Sequence, residues 1–455
     1  MFKKKKLDLL EGPIFKNLII LAAPLMATAF LQITYNFVDM IWLGQLGTRE
    51  VAAVGASGIY SWIASSFATI VRVSSSVYTA QYYGANKTKR LYQTIKNALH
   101  LIYIFAIIYG SLSYVFAKPL IGFFNLEADV SKMGVTYLKL MSVGYLVQFV
   151  NPILSGFYNN LGDSITPFKY NAIGLVINLL LDPVLIFGFG PFPKLGVLGA
   201  AIATIFAQLV VNLLFYMNIY KTKTEIYMGI KEGKHNIDSK KDMLKLGFPA
   251  GIQSTIMASI SLVLNRLLAS YGSTPMAVHT IGTNIESISW MSVEGLQHGI
   301  IAFVGQNFGA QKNDRLKEII KKSMTIALAI GLIASAILIG LRNQLFHLFI
   351  PHEPEAIMIG SSFLLILGLS QTFMSMEIAS AGVFHGFGLT KIPSNISIIF
   401  NLMRIPLAYL LVMYFDFYGV WIAITTSSVL KGVISNIILY KKYQEIDLRP
   451  KNHNI

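Results

Sequence analysis

Long apolar segments recur along the whole chain, twelve in number and each about 20 residues or longer. An α-helix needs roughly 20 apolar residues to cross about 30 Å of hydrocarbon, whereas the strands of a membrane barrel are short and alternating. Only 13% of the residues are charged, about half the share in a soluble domain. The pattern predicts an all-α integral membrane protein and excludes a soluble globular enzyme. The predicted spans are 17–44, 55–82, 93–117, 134–158, 166–190, 197–220, 246–270, 278–308, 320–341, 359–385, 392–415 and 418–441.

Positive charge is unevenly distributed among the loops. The net charge is +15, and Lys and Arg concentrate in alternate loops, including residues 3–6, 221–245 and 441–451. The positive-inside rule then places both termini and the 221–245 loop in the cytoplasm. We expect a multi-pass protein of the plasma membrane whose basic loops contact anionic lipid head groups, and no nucleic-acid partner.

The chain repeats itself at an offset of 225 residues. The matched positions are Pro24 with Pro249, Gly47 with Gly272, and 81–85 with 306–310. Two pseudo-symmetric six-helix lobes, 1–220 and 246–455, are then joined by the linker 221–245. Because six is even, both lobes have the same orientation, and an axis along the membrane normal relates them. Such internal duplication is typical of transporters that open a central cavity to alternate sides.

A polar stripe runs along the first predicted helix. Gln32, Tyr35, Asn36 and Asp39 stand at positions i, i+3, i+4 and i+7, which share one helix face. An ionisable group inside the bilayer is costly, and by default it indicates a functional site. The stripe therefore has to face protein or water.

Two further helices of the N-terminal lobe place oxygen ligands at the level of Asp39. Asn178 and Asp182 are four residues apart on helix 5, and Thr204 lies on helix 6. Asp39, Asp182 and Thr204 each lie about 10 Å from the outer helix end at 1.5 Å per residue. Two carboxylates in low dielectric favour a shared proton or a bound Na⁺. The alternative is a hydrogen-bond network that only fixes helix packing.

Pro24 interrupts the first helix and predicts a kink there. A kinked helix that carries Asp39 is a candidate moving part, and a static kink is the alternative. Pro249 repeats the proline without the acid.

The C-terminal lobe carries a different set of polar residues. A stripe at four-residue steps on helix 8 contains Glu286, Trp290, Glu294 and His298. Carboxylates beside aromatic rings suit an organic cation, and interhelical ion pairs such as Glu294 with Arg72 are the alternative. The candidate substrate-binding residues are Gln32, Arg72, Glu286, Trp290, Glu294 and Glu377.

Sequence motifs of enzymes are absent from the chain. There is no cysteine, no Walker A motif, no His-Glu-x-x-His and no Gly-x-Ser-x-Gly. We therefore expect neither an enzyme nor an ATP-driven pump. The only ligands expected besides the substrate are H⁺ or Na⁺, with no resident cofactor and no metal beyond Na⁺ at Asp39, Asn178 and Asp182.

The ordered motifs resemble the MATE family of multidrug and toxic-compound extrusion transporters over essentially the whole chain, and its DinF-like branch in particular. They are Pro24, Tyr-Asn-Phe-Val-Asp-Met at 35–40, Asn-Leu-Leu-Leu-Asp-Pro at 178–183, Gly-Ala-Ala-Ile-Ala-Thr at 199–204, and the glycine motifs at 309–310 and 382–386. The resemblance implies that the N-terminal lobe binds H⁺ or Na⁺ and that helix 1 bends at its proline. The residues to which it assigns these roles are Tyr35, Asp39, Asn178, Asp182, Thr204 and Pro24.

The other branch of that family uses an acid early in helix 7 and another on helix 10. Here residues 253–257 contain no acid, and the helix 10 position falls on Met374, three residues before Glu377. We therefore expect a monomeric antiporter that couples through its N-terminal lobe and exports organic, cationic or amphipathic compounds. A flippase for lipid-linked precursors, from the same superfamily, and a non-transporting receptor or scaffold are the alternatives.

Overall fold

The computed structural model describes residues 7–190, 192–351 and 353–448. The basic residues at 3–6 and 449–451, and the side chain of Asn36, lie outside this description. The helices are α1 (Ile14–Leu46), α2 (Thr48–Gly84), α3 (Thr88–Val115), α4 (Ala117–Gly122), α5 (Ala128–Gln148), α6 (Val150–Asn160), α7 (Ile165–Phe187), α8 (Val197–Thr222), α9 (Glu225–Glu232), α10 (Ile237–Ala269), α11 (Ser273–Gly309), α12 (Asn313–Gly340), α13 (Arg342–Phe349), α14 (Pro354–Gly368), α15 (Gln371–Gly386), α16 (Lys391–Phe415) and α17 (Tyr418–Gln444), followed by a 3-10 turn at Glu445–Leu448.

Ten spans in the described chain are long and apolar enough to cross a membrane, and the pair α14 and α15, bent by 46°, makes an eleventh. The remaining predicted segment, 278–308, lies in α11, a helix of 37 residues. This helix carries Glu286 and Glu294 within that segment. Each of the twelve predicted segments thus coincides with a helix or a helix pair.

The internal repeat is visible in helix lengths and in loop conformation. α1 and α10 have 33 residues each, α2 and α11 have 37, and α3 and α12 have 28. Gly47 and Gly272 precede α2 and α11 with φ of 144° and 110°, a region that favours glycine. Asn86 and Gln311, again 225 positions apart, are both left-handed, with φ of 55° and 57°. The repeated residues therefore build the same helix ends twice.

The chain packs as two units. The N-terminal unit is Ala27–Gly251, and the C-terminal unit contains Leu7–Met26 and Ile252–Ile455. Both α1 and α10 thus pass from one unit into the other, and each does so two residues after its internal proline. The predicted lobes, 1–220 and 246–455, were defined by the sequence repeat, whereas these units are defined by packing. The lobe boundaries therefore stay a prediction.

Each unit has its own apolar core. Phe157 and Phe215 are fully buried in the N-terminal unit, and Phe303, Phe384 and Trp421 in the C-terminal unit. Many other large apolar side chains are exposed, as expected on surfaces that face lipid instead of water.

Candidate ion-binding site and charged cluster

A tight turn between α7 and α8 sets the register of the N-terminal site. Leu195 N and Gly196 N donate to Leu185 O and Ile186 O, at 3.0 and 3.1 Å. A Cβ on Gly199 would lie 2.4 Å from Leu185 O, so only glycine allows this approach. The turn therefore holds the first turns of α8 against the last turns of α7, which carry Asp182.

The structure brings five of the predicted site residues together in the N-terminal unit. The carboxyl group of Asp39 on α1 lies within hydrogen-bonding reach of Asp182 on α7. Asn178 Nδ2 donates to Asp182 Oδ1 at 3.1 Å. Tyr35 Oη donates to Thr204 Oγ1 at 2.9 Å. The helix-face and depth arguments thus selected residues that meet in space.

This site has acceptor oxygens without donors. Asp39 Oδ1, Asn178 Oδ1 and Asp182 Oδ2 are buried and have no hydrogen-bond partner. Asn178 and Asp182 are completely buried, and within the described chain no Lys or Arg forms an ion pair with either carboxylate. Buried charges are normally paired, so this donor set suits a proton or a hard monovalent cation.

Tyr137 on α5 is a neighbour that the sequence analysis missed. Its phenol lies in the electrostatic field of both Asp39 and Asp182. A tyrosine in an apolar helix gives no periodic signal, so only packing reveals it. Among the residues that the structure describes, no group of three or more His, Cys, Asp or Glu side chains is placed to hold a metal ion.

Pro24 and Gln32 lie on either side of the point where α1 changes units. Pro24 belongs to the part of α1 in the C-terminal unit, and α1 is one continuous helix through it. Gln32 is exposed and belongs to the N-terminal unit. The hinge at Pro24 stays a prediction.

The C-terminal unit contains a second polar cluster, in which carboxylates have partners. Lys431 Nζ on α17 lies 3.4 Å from Glu377 Oε2 on α15. Ser397 Oγ donates to Glu377 Oε1 at 2.9 Å. Gln371 Nε2 donates to Glu286 Oε1 on α11 at 2.9 Å.

Lys431 was missed by the sequence analysis, which named Arg72 as its basic candidate residue within the predicted spans. A lysine in the middle of the apolar segment 418–441 was the available signal. The ion pair in this cluster joins Glu377 to Lys431. Trp290 is 38% exposed, and Glu294 and Arg72 are partly buried, in the C-terminal and N-terminal units respectively. Their role in binding substrate stays a prediction.

Arg404 on α16 completes this cluster. Its Nε donates to Ser427 Oγ at 2.5 Å, and one terminal nitrogen donates to Ser428 Oγ at 3.1 Å. Among the described residues, no carboxylate lies within 4 Å of the guanidinium. Glu286 and Glu377 are near enough to act on it electrostatically.

Comparison with known proteins agrees with the fold and with the repeat. The MatE family model matches residues 24–184 and 249–410, so its two copies begin at the paired prolines. A probable multidrug resistance protein NorM of Thermotoga maritima is 27% identical over 424 residues, 92% of this chain and 90% of that protein. A FAD transporter of Shewanella oneidensis is 25% identical, covering 94% of this chain and 95% of its own.

A crystal structure of MATE in complex with MaD5 matches with a TM-score of 0.90 at 22% identity, over 98% of this chain and 100% of that one. The predicted all-α membrane fold is thereby confirmed. The matches cover both halves of the chain, which is a multi-pass membrane protein and not an enzyme. It belongs to the MatE family of transporters.

Proposed function

We propose that this protein is a secondary active antiporter that exports amphipathic organic compounds in exchange for H⁺ or Na⁺. The names of its relatives, which refer to multidrug resistance and to FAD, support transport of organic molecules. The observation that carries the coupling is the set of unpartnered oxygens of Asp39, Asn178 and Asp182. We further propose that the protein acts as a monomer in the plasma membrane, with both termini cytoplasmic.

Ion binding at this site has a direct electrostatic basis. Two carboxylates side by side in low dielectric repel each other, and a proton or Na⁺ removes that repulsion. Asp39 lies on α1, whereas Asn178 and Asp182 lie on α7. A bound ion therefore stabilises the arrangement in which α1 lies against α7.

Transport requires that the ion and the organic substrate favour different arrangements of the protein. Each ligand shifts this equilibrium only by its difference in affinity for the two states. Because α1 belongs to the C-terminal unit up to and including Met26, a change of α1 at the N-terminal site reaches both units. Pro24 is the proposed hinge.

Ethidium efflux from proteoliposomes tests the proposal. A pH gradient and a Na⁺ gradient are imposed separately on the wild type, on Asp39→Asn and on Asp416→Asn. Asp416 is exposed after α16 with φ of 53°, which Asn tolerates, so the control makes the same chemical change outside the site.

We expect one gradient to drive efflux in the wild type and in Asp416→Asn, and neither gradient to do so in Asp39→Asn. The gradient that works identifies the coupling ion. Wild-type efflux by Asp39→Asn would contradict coupling at this site.

A further inference from the structure

We propose that Arg404 binds an oxyanion, the carboxylate or phosphate group of an organic ligand, within the C-terminal unit. The biological use of this site rests on the proposed transport function. The assignment gives a substrate class that the acid-rich stripe of the sequence did not suggest, namely compounds with a negatively charged group.

Within the described chain, the hydrogen bonds of Arg404 leave most of its N–H donors free. A guanidinium has five N–H donors in a planar fork. Two of these bonds go to Ser427 and Ser428, which are neutral hydroxyls. Arg404 therefore keeps donors that match the two oxygens of a carboxylate or a phosphate.

The position of Arg404 makes this arrangement unusual. α16 has 25 residues, and Arg404 lies 13 residues after its first residue, Lys391. A cation in the middle of a span is normally paired with a carboxylate or serves a ligand. Its neighbour Lys431 is paired with a carboxylate in this way, since it is 5% exposed and contacts Glu377.

Nearby carboxylates offset the charge of Arg404 without occupying its fork. Glu286 and Glu377 act on it over a distance, while their own oxygens accept from Gln371, Ser397 and Lys431. This offset lowers the cost of holding the cation in the membrane. Arg404 is only partly buried, so a ligand can reach it.

Two sources can supply the oxyanion, a soluble organic acid or the phosphate of a phospholipid. Both would bind through two parallel N–H to oxygen bonds. An uncharged compound with the same apolar body would lose those bonds and keep only its apolar contacts. The difference in binding affinity between the charged and the uncharged compound therefore measures the contribution of Arg404.

The test compares pyrene-1-butanoate with pyrene-1-butanol, which share an aromatic body and differ in the carboxylate. Binding to the purified full-length protein in detergent is followed by pyrene fluorescence, with no ion gradient. We expect the wild type to bind the carboxylate about tenfold more tightly than the alcohol, as charge-assisted hydrogen bonds imply. Arg404→Gln should bind both equally, and Arg404→Lys should lie between.

Arg49→Gln is the matched control, because Arg49 forms an exposed ion pair, with its side chain 62% exposed. It should keep the wild-type preference. Displacement of the probe by dihexanoyl phosphatidic acid, but not by dihexanoyl glycerol, would assign the site to lipid phosphate, and no displacement would assign it to soluble acids.

Equal affinity of the wild type for the two pyrene probes would overturn the proposal, whether or not Arg404→Gln folds. Because binding is measured without a gradient, this failure is distinct from loss of coupling at Asp39.

Discussion

The two units carry corresponding polar sites that differ in whether the carboxylates have a cation as a partner. In this later part of the repeat the offset is 223 residues, so Asn178 matches Asn401, and both amides are buried with an unpartnered Oδ1. Asp182 matches Ile405, which stands beside Arg404. Asp39 has no acidic counterpart, since Leu264 is apolar and 4% exposed.

This difference shows how one duplicated scaffold can hold two kinds of site. In the N-terminal site, the carboxylates of Asp39 and Asp182 have no ion-pair partner among the described residues, which favours a mobile positive ion. The charged cluster of the C-terminal unit has two carboxylates, Glu286 and Glu377, and two cations, Arg404 and Lys431. Carboxylates and cations are thus equal in number there, so this cluster does not need a mobile positive ion.

The largest expected effect is a loss of stability in the charged cluster of the C-terminal unit, where Glu377 pairs with Lys431. Glu377→Gln leaves Lys431 buried without its carboxylate and should lower the free energy of unfolding by about 3–5 kcal/mol. Thermal unfolding in detergent measures this loss. The double variant Glu377→Leu with Lys431→Met should recover most of it, because apolar groups replace both charges.

Glu127→Gln provides the control for that experiment, because Glu127 pairs with Arg49 on the surface and its side chain is 68% exposed. This variant should cost no more than about 1 kcal/mol. If Glu377→Gln costs as little, the charges of the cluster are not coupled as the structure indicates.

An intermediate effect on ion-dependent stability is expected at the N-terminal site of Asp39 and Asp182. Asp39→Asn removes a carboxylate that lacks a cation, so it should not lower thermal stability. The coupling ion should stabilise the wild type by about 2.7 kcal/mol at a concentration 100 times its Kd, and should leave Asp39→Asn unchanged.

Unfolding scans in NaCl, in choline chloride and across pH measure this ion-dependent stabilisation. Asp416→Asn should respond as the wild type does. A response retained by Asp39→Asn would place the ion elsewhere in the protein.

The smallest expected effect concerns the hydrogen bond from Tyr35 to Thr204. Tyr35→Phe removes this donor and should lower stability by about 0.5–1.5 kcal/mol, the net contribution of one hydrogen bond. The carboxylates remain, so the ion response should be weakened and not abolished. Loss as complete as in Asp39→Asn would make the hydroxyl of Tyr35 an ion ligand in its own right.

Part of the candidate site was accessible from the sequence because helix periodicity and depth are local properties. Tyr35 and Asp39 share a face through their spacing, and Asp182 follows Asn178 by one turn. Tyr137 was not accessible, because nothing in the local pattern of α5 indicates that its phenol lies near those carboxylates. The pairing of Glu377 with Lys431 likewise joins different helices, α15 and α17.

The sequence by itself determined the membrane-spanning class, the helical segments and the duplication, because apolar length and repeat offset are read along a single chain. It also indicated which acids would be costly in a bilayer. Only the tertiary structure decided which charges have partners. The pairing depends on side-chain distances between helices far apart in the chain. Within the part of the chain that the structure describes, Asp39 and Asp182 lack a cation, whereas Glu377 has one in Lys431.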